Sequence, residues 1–387
     1  MKISDFCYVS DYVANGSFKS LRNNVNYLDD GYAVLVRLTD FTKKWQSDFR
    51  YVSENAYKFL KHSKLYAGDL IMANVGDPGI VFIVPDLKKP MTLGPNSILI
   101  RPTSSVAHTK FIYWYFKSKL GRDQITSITS ATAQKKFNKT SFRALDIKLP
   151  PLAEQQRIAA LLDKTDHILK LRESVITKLD QLASTTFDEM YDALDTDSTK
   201  SLGEIIELQR GASPRPISDW MTEEEDGINW IKIADATASD KYIYKCKERI
   251  KKEAVTMTRY VKSGDFLLSN SMSFGRPYIL KTDGCIHDGW LLLRDTKNIF
   301  EQDFLYAALS CKNIKEQFKK LATGAVVKNL NIDAVSKVKI KIPEKRIQKL
   351  FSEKMLELEA NKALQVRQLS IFKSLLSSLQ YQSFSVN

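Results

Sequence analysis

The chain has 387 residues, 43% of them hydrophobic and 27% charged, with only 15 Gly and 11 Pro. That composition excludes a fibrous or disordered polypeptide, and the length predicts two or three globular domains. The 58 Lys+Arg against 45 Asp+Glu leave a formal charge of +13, which points toward nucleic acid, or less often an anionic membrane surface, unless it serves solubility alone.

No apolar stretch is long enough to cross a membrane. The start, Met1-Lys2-Ile3-Ser4-Asp5-Phe6, lacks the charged-then-apolar layout of a signal peptide. Cys7, Cys246, Cys285 and Cys311 are scattered, without a C-x-x-C pair, so a reducing cytoplasm is the expected setting.

In chain order, Val34–Leu38, Leu70–Ala73, Ile80–Val84 and Ser97–Ile100 are short apolar runs bounded by Gly, Pro, Asn and Asp, which predicts strands. The Gly68-Asp69 step is a turn signal. Phe111–Lys119 reads as a short helix. Pro150-Pro151 then opens a long helix that runs without Gly or Pro to about Asp195. Along it Leu161, Ile168, Val175 and Leu182 recur every seven residues, with Leu162, Leu169, Ile176, Ala183 and Met190 as a second row beside them.

The order then repeats. Asp30-Gly31 and Leu35–Asp40 answer to Asp226-Gly227 and Trp230–Asp235, and Ala67–Asn74 answers to Ser263–Asn270. Ser130–Asn138 matches Thr323–Asn331, and Asp146–Pro150, read as a strand, matches Lys339–Pro343. The offsets stay between 193 and 196, which means two whole modules rather than a short-period solenoid. The second module has its own short helix at Asp303–Cys311 and its own long helix after Pro343. There Phe351, Met355, Leu358, Lys362, Gln365, Leu369, Phe372, Leu376 and Leu379 follow spacings of four and three, a coiled-coil seam with a polar centre. Each helix would be about 60 Å long. The fold class expected is α+β: two similar mixed α/β modules, each followed by a long helix, with the two helices packing as an antiparallel coiled coil.

Signatures of catalysis are missing. There is no phosphate loop, dinucleotide loop or nucleophile elbow, and no Asn/Asp-Pro-Pro-aromatic step. Pro85-Asp86 lies 60 residues before Asp146-Ile147-Lys148, too far for the usual nuclease arrangement. His62, His108, His167 and His287 have no metal-ligand spacing, Cys285-Ile286-His287-Asp288 reads as a packed turn, and Glu223–Asp226 as a solvated loop. No metal and no cofactor are expected in this chain, which reads as a binder rather than an enzyme.

The segment Leu149-Pro150-Pro151-Leu152-Ala153-Glu154-Gln155-Gln156-Arg157-Ile158 closely resembles the central conserved region of DNA specificity subunits of Type I restriction-modification systems. Ser201–Ile206 with Gly211 downstream resembles the start of that family's target recognition domains. In the second copy Glu344 replaces Pro151 and Ile347 replaces Glu154, while Pro343 and Gln348 persist; the first module lacks the Leu-Gly step at its start.

The resemblance implies target recognition domains at 1–150 and 196–342, and conserved spacer helices at 151–195 and 343–387. It implies a non-catalytic subunit that reads the two halves of a bipartite double-stranded DNA target. It also implies a scaffold for two methyltransferase subunits, which modify adenine N6 with S-adenosylmethionine, to which two restriction subunits can add. The helix-pair and partner interface is expected at Leu161, Ile168, Val175, Leu182, Phe351, Met355, Leu358, Leu369, Phe372 and Leu376.

Position and chemistry nominate the DNA contacts. The loops after the Gly-Asp strands carry Asn74 and Asp77 in one copy and Asn270, Ser271, Ser273 and Arg276 in the other. Asn pairs with adenine and Arg with guanine in the major groove. Gln134, Lys135, Lys136, Lys328 and Asn329 precede the long helices, and Lys43, Lys44, Arg50, Lys247, Lys251 and Lys252 suit phosphates. Residues 1–150 carry +10, 151–195 carry −4, 196–342 carry +4 and the remainder +3, so the positive balance sits mainly on the proposed reading modules. A diverged DNA-modifying enzyme and a coiled-coil scaffold without sequence readout are the rival classes.

Overall fold

A computed structural model of the chain describes residues 1–46, 48–103, 105–195, 198–236, 241–270, 275–322 and 330–385. The chain divides into two compact units, one of residues 1–173 with 367–387, the other of residues 174–366.

The first unit holds two four-stranded sheets. One runs Cys7–Asp11, Ser97–Pro102, Leu70–Ala73, Val81–Ile83, antiparallel throughout. The other runs Arg50–Val52, Ala33–Val36, Met91–Leu93, Lys64–Leu65, with its middle pair parallel. Val, Ile and Leu with both faces covered read as continuous apolar runs, which is why Leu70–Ala73 and Ala33–Val36 are buried at every position. Leu38 does not extend its strand. It starts a short helix, Leu38–Thr42, because the buried Asp40 carboxylate accepts from the Arg37 backbone N–H at 2.8 Å and from its guanidinium. The Asp146–Pro150 segment forms only an isolated bridge, Asp146 with Lys2, rather than a full strand.

The second unit repeats the plan with one strand added to each sheet. Glu207–Arg210, Trp290–Arg294, Phe266–Ser269, Pro277–Leu280 and Tyr242–Ile243 form one sheet. Met221–Thr222, Glu248–Ile250, Ile228–Ile231, Gly284–Ile286 and Arg259–Val261 form the other, again with one parallel pair in the middle. Here the segment before the long helix does pair, Lys339–Lys341 with Thr199–Ser201.

The long helices span Leu152–Ala193 and Lys345–Ser385. Within the first unit they run antiparallel: Arg172 donates to Gln368 and lies over the Phe372 ring, and Lys373 pairs with Glu173. Within the second unit Lys362 pairs with Asp180, and the Phe187 and Phe351 rings meet edge to face at 4.7 Å. On the C-terminal helix Phe351 is buried, and Met355, Leu358, Leu369, Phe372 and Leu376 are half-buried. On the central helix the row expected in the seam turns outward: Leu161, Val175 and Leu182 are 37%, 41% and 52% exposed. Ile168 is half-buried, and the adjacent row through Leu162, Leu169, Ile176 and Ala183 faces inward instead. Neighbouring helix positions lie about 100° apart, so only one of two adjacent rows can face the partner helix.

No helix among the described residues is long and apolar enough to cross a membrane.

Candidate nucleic-acid interface

Each Gly-Asp step does the same local work. Gly68 and Gly264 turn the chain at φ +92° and +97°, which only glycine takes readily. The Asp69 carboxylate then accepts from the Tyr66 N–H at 2.7 Å and from Arg101 Nε at 2.6 Å. Asp265 accepts from the Lys262 N–H at 2.8 Å and from Arg294 Nε at 2.8 Å. Both guanidiniums bind bidentately from the neighbouring strand, and the carboxylate bond holds their pKa above the usual arginine value against the opposing pull of burial. The turn thereby fixes where the following strand ends and the candidate loop begins.

In the first unit that loop and the one before the central helix lie side by side. Gly76 N–H donates to Lys135 O at 3.0 Å, Val75 bridges to Lys136, and Phe137 N–H donates to Asn74 O at 3.0 Å. Asp77, Gln134, Lys135 and Lys136 are exposed there. Asn74 lines an adjoining cleft of about 570 Å³ with Tyr12, Phe18, Arg22, Tyr27 and Ser97. Asn74 Oδ1 and the Oγ of Ser97, a residue 2% exposed, are buried without a hydrogen-bond partner among the described residues. The aromatic rings and polar side chains that line the cleft suit a planar, hydrogen-bonding ligand, while the Asn74 amide itself donates to Phe137 O at 3.3 Å.

Lys43, Lys44 and Arg50 belong to a second loop. Phe41 stacks on Phe82 at 4.6 Å and Trp45 meets Phe82 at 5.7 Å, which pins its base. Lys44, Trp45 and Asp48 sit at positive φ, costly for residues with a side chain and a recurrent property of functional loops. Lys43 pairs with Asp48 and Arg50 with Asp29. The Lys43 hydrogen bond and charge draw the exposed Asp48 carboxyl below its ordinary pKa. Such surface pairs are weak and yield readily to a phosphate.

In the second unit the joint recurs, with Leu330 N–H donating to Asn270 O at 3.0 Å. Asn270 itself is a correction to the sequence reading. It is 3% exposed and its amide donates to Asp288 O at 2.7 Å, so the side chain holds the loop and offers no free edge to a base. Arg276 is exposed, its guanidinium 5.2 Å from the Tyr278 ring. Lys247 is exposed, Lys251 donates to Asp219 O at 2.8 Å, and Lys252 pairs with Asp226 at 2.6 Å. Ser271, Ser273, Lys328 and Asn329 lie outside the described residues.

His287 is part of a packed turn, as the sequence suggests. Its Nδ1 accepts from the Gly289 N–H at 2.9 Å, and burial depresses its pKa.

The profile of the Type I restriction modification DNA specificity domain matches twice, over residues 1–181 and 196–369. The chain belongs to that family. As a specificity subunit of the Type I family it carries two target recognition domains, and the duplicated two-sheet units are their physical form. Over 327 residues it is 22% identical to a putative Type I restriction enzyme MjaX specificity subunit of Methanocaldococcus jannaschii, covering 79% of this chain and 75% of that one. Over 163 residues it is 28% identical to the EcoKI specificity subunit of Escherichia coli K12, covering 41% of this chain and 34% of that one. A solved structure described as showing complex assembly and conformational transition of a Type I restriction-modification system matches with TM-score 0.68 at 19% identity, over 99% of this chain and 96% of that one. The specificity subunit of M. genitalium matches with TM-score 0.52 at 16% identity, over 99% and 95%. At these identities the two solved structures speak for the fold.

The cleft residues Tyr12, Phe18, Arg22 and Tyr27 carry no motif and escape the sequence reading. Their one legible signal is the run of aromatic residues in a short polar segment, residues 8–27.

Proposed function

We propose that this chain is the non-catalytic DNA-reading subunit of a Type I complex. Each target recognition domain reads one half of a bipartite double-stranded target, and the paired helices hold the halves apart. Two methyltransferase subunits, supplying adenine-N6 methylation with S-adenosylmethionine, dock on the scaffold, and two restriction subunits join them in the cutting form. The carrying observation is the duplication: the same pair of sheets, Gly-Asp turn and arginine clamp occur twice, each followed by a long helix. Two copies of one reader on a stiff spacer follow the logic of two-fold DNA binders, whose half-sites lie about 34–36 Å apart.

Within this reading Lys43, Lys44, Arg50, Lys247, Lys251 and Lys252 neutralise phosphates, while Asn74, Asp77, Arg276 and the loop at Gln134, Lys135 and Lys136 approach bases or backbone. Ser271, Ser273, Lys328 and Asn329 remain candidates by sequence alone. The outward row at Leu161, Val175 and Leu182 suits a partner subunit, since a purely intrachain seam leaves no reason for large apolar side chains on the solvent face. The complex operates in the cytoplasm, where its DNA and cofactor are.

The test is a map of methylated adenines in cells with and without the gene. A divided motif that vanishes with the gene is expected. Methylation that is unchanged, or methylation by the purified chain alone, refutes the proposal.

A further inference from the structure

Each domain is tied to its long helix by one buried glutamine. Gln155 is 0% exposed and Gln348 1%. Gln155 Nε2 donates to Val106 O at 2.7 Å and to Pro150 O at 2.8 Å, and its Oε1 accepts from the His108 N–H at 2.9 Å. Gln348 Nε2 donates to Ile299 O at 3.2 Å and to Pro343 O at 2.9 Å, and its Oε1 accepts from the Glu301 N–H at 2.8 Å. Every partner of the second set is the first set shifted by 193 residues.

The geometry of the two sets is that of a joint. Pro150 and Pro343 end the connection from the domain, and the glutamine sits in the first turns of the long helix. His108 and Glu301 are the N-cap residues of the domain helices Thr109–Lys117 and Gln302–Ser310. One amide therefore fastens three points: the helix start, the incoming chain and the cap of the domain helix. A primary amide is needed, because two carbonyls require two donors and one N–H requires an acceptor, and no other uncharged side chain of that length supplies all three.

Neighbouring contacts brace the joint in each unit. Trp114 Nε1 donates to Asp163 at 2.8 Å, and Phe111 and Trp114 pack on Ile158, Ala159 and Leu162. Phe304 meets Phe351 at 5.9 Å, and Lys345 pairs with Glu301 at 3.4 Å. These braces resist sliding, whereas the glutamine blocks rotation about the proline link.

We infer that Gln155 and Gln348 are positioning residues that lock each recognition domain's angle on its helix, and so set how strictly the complex demands one spacer length between the half-sites. The inference rests on the bipartite reading above. A domain free to swing tolerates half-sites that are nearer or farther, without any change in which bases each domain reads. This also accounts for what the second copy keeps: Pro151 and Glu154 have no counterpart there, but Pro150 and Gln155 do, as Pro343 and Gln348.

The test expresses the full chain with its methyltransferase partners and maps methylated adenines for Gln155→Met, Gln348→Met and the milder Gln155→Asn. Thermal unfolding is followed in parallel, and only variants that retain a cooperative transition are scored. The expected result is an increase of about tenfold in methylation at sites one base pair longer or shorter, the factor that about 1.4 kcal/mol of relaxed positioning corresponds to, with both half-site sequences unchanged. An unchanged spacer preference in a folded variant overturns the inference, as does an equal loss of methylation at every spacing, which marks a residue needed only for stability. Undivided wild-type sites overturn the bipartite reading and the joint's role with it.

Discussion

The Asp265–Arg294 clamp gives a stability prediction whose size follows from the structure. Asp265→Ala removes the carboxylate that accepts from the Lys262 N–H and binds Arg294 bidentately. Asp265 is 8% exposed at its side chain and Arg294 29%, so truncation leaves a mostly covered guanidinium unpaired. Breaking a fully buried pair costs about 3–5 kcal/mol, and discounting for the partial exposure of the arginine gives about 2–3 kcal/mol. For a unit of this size that is about 5–10 °C of melting temperature. Asp265→Asn keeps the turn acceptor and loses the charge, so about half the effect is expected. Hydrogen exchange of the full chain localises it: protection falls at Phe266–Ser269, while Leu70–Ala73 holds. Asp69→Ala shows the converse. A loss below about 0.5 kcal/mol, or equal loss of protection in both units, refutes the claim that each clamp stabilises its own turn.

Other outcomes follow from the same residues. If Arg276 reads a base, Arg276→Ala costs about 1–3 kcal/mol in DNA binding by the assembled complex and relaxes one position of the site; uniform weakening across sequences makes it a phosphate contact. Lys44→Ala should weaken binding on all sequences and reduce the slope of log affinity against log salt by about 1, measured by titration at several salt concentrations. Four residues inserted into each long helix add about 6 Å and should lengthen the unread gap by one or two base pairs in a methylation map; an unchanged gap sinks the spacer role. Burial lowers the His287 pKa, so its contribution is present above about pH 6.5 and is lost as pH falls below that value. Acidification from neutrality to about pH 5 should lower the melting temperature of the full chain, less so in His287→Asn, and an equal fall in both removes His287 as the cause.

Much of the architecture was legible because it is written twice. A single Gly-Asp step is a weak turn signal, but two of them before two buried strands, 196 residues apart, mark a repeated structural demand, and the arginine clamps show what that demand is. The seam of the C-terminal helix was legible for a different reason. Its seam keeps spacings of four and three with mostly apolar positions, whereas the neighbouring row through Leu350, Leu364, Ile371 and Leu375 is broken by Lys354, Glu357, Asn361 and Gln368, and its apolar members lie exposed. On the central helix two adjacent rows are both apolar, and nothing local chooses between Leu161 and Leu162.

The sequence by itself determined the duplication, the strand and helix types, the proline-led long helices and the family likeness of Leu149–Ile158, since each depends on residues close together in the chain. Tertiary structure alone decided which row of the central helix is covered, that Asn270 is spent on Asp288, that loops sixty residues apart meet at Asn74 and Phe137, and that Gln155 and Gln348 are joints. Those outcomes depend on which carbonyls and rings arrive from distant segments, and a buried amide takes its role from the partners that surround it. The net charge belongs to neither group: its sign is in the sequence, but paired lysines such as Lys43 and Lys252 acquire their neighbours only in the fold.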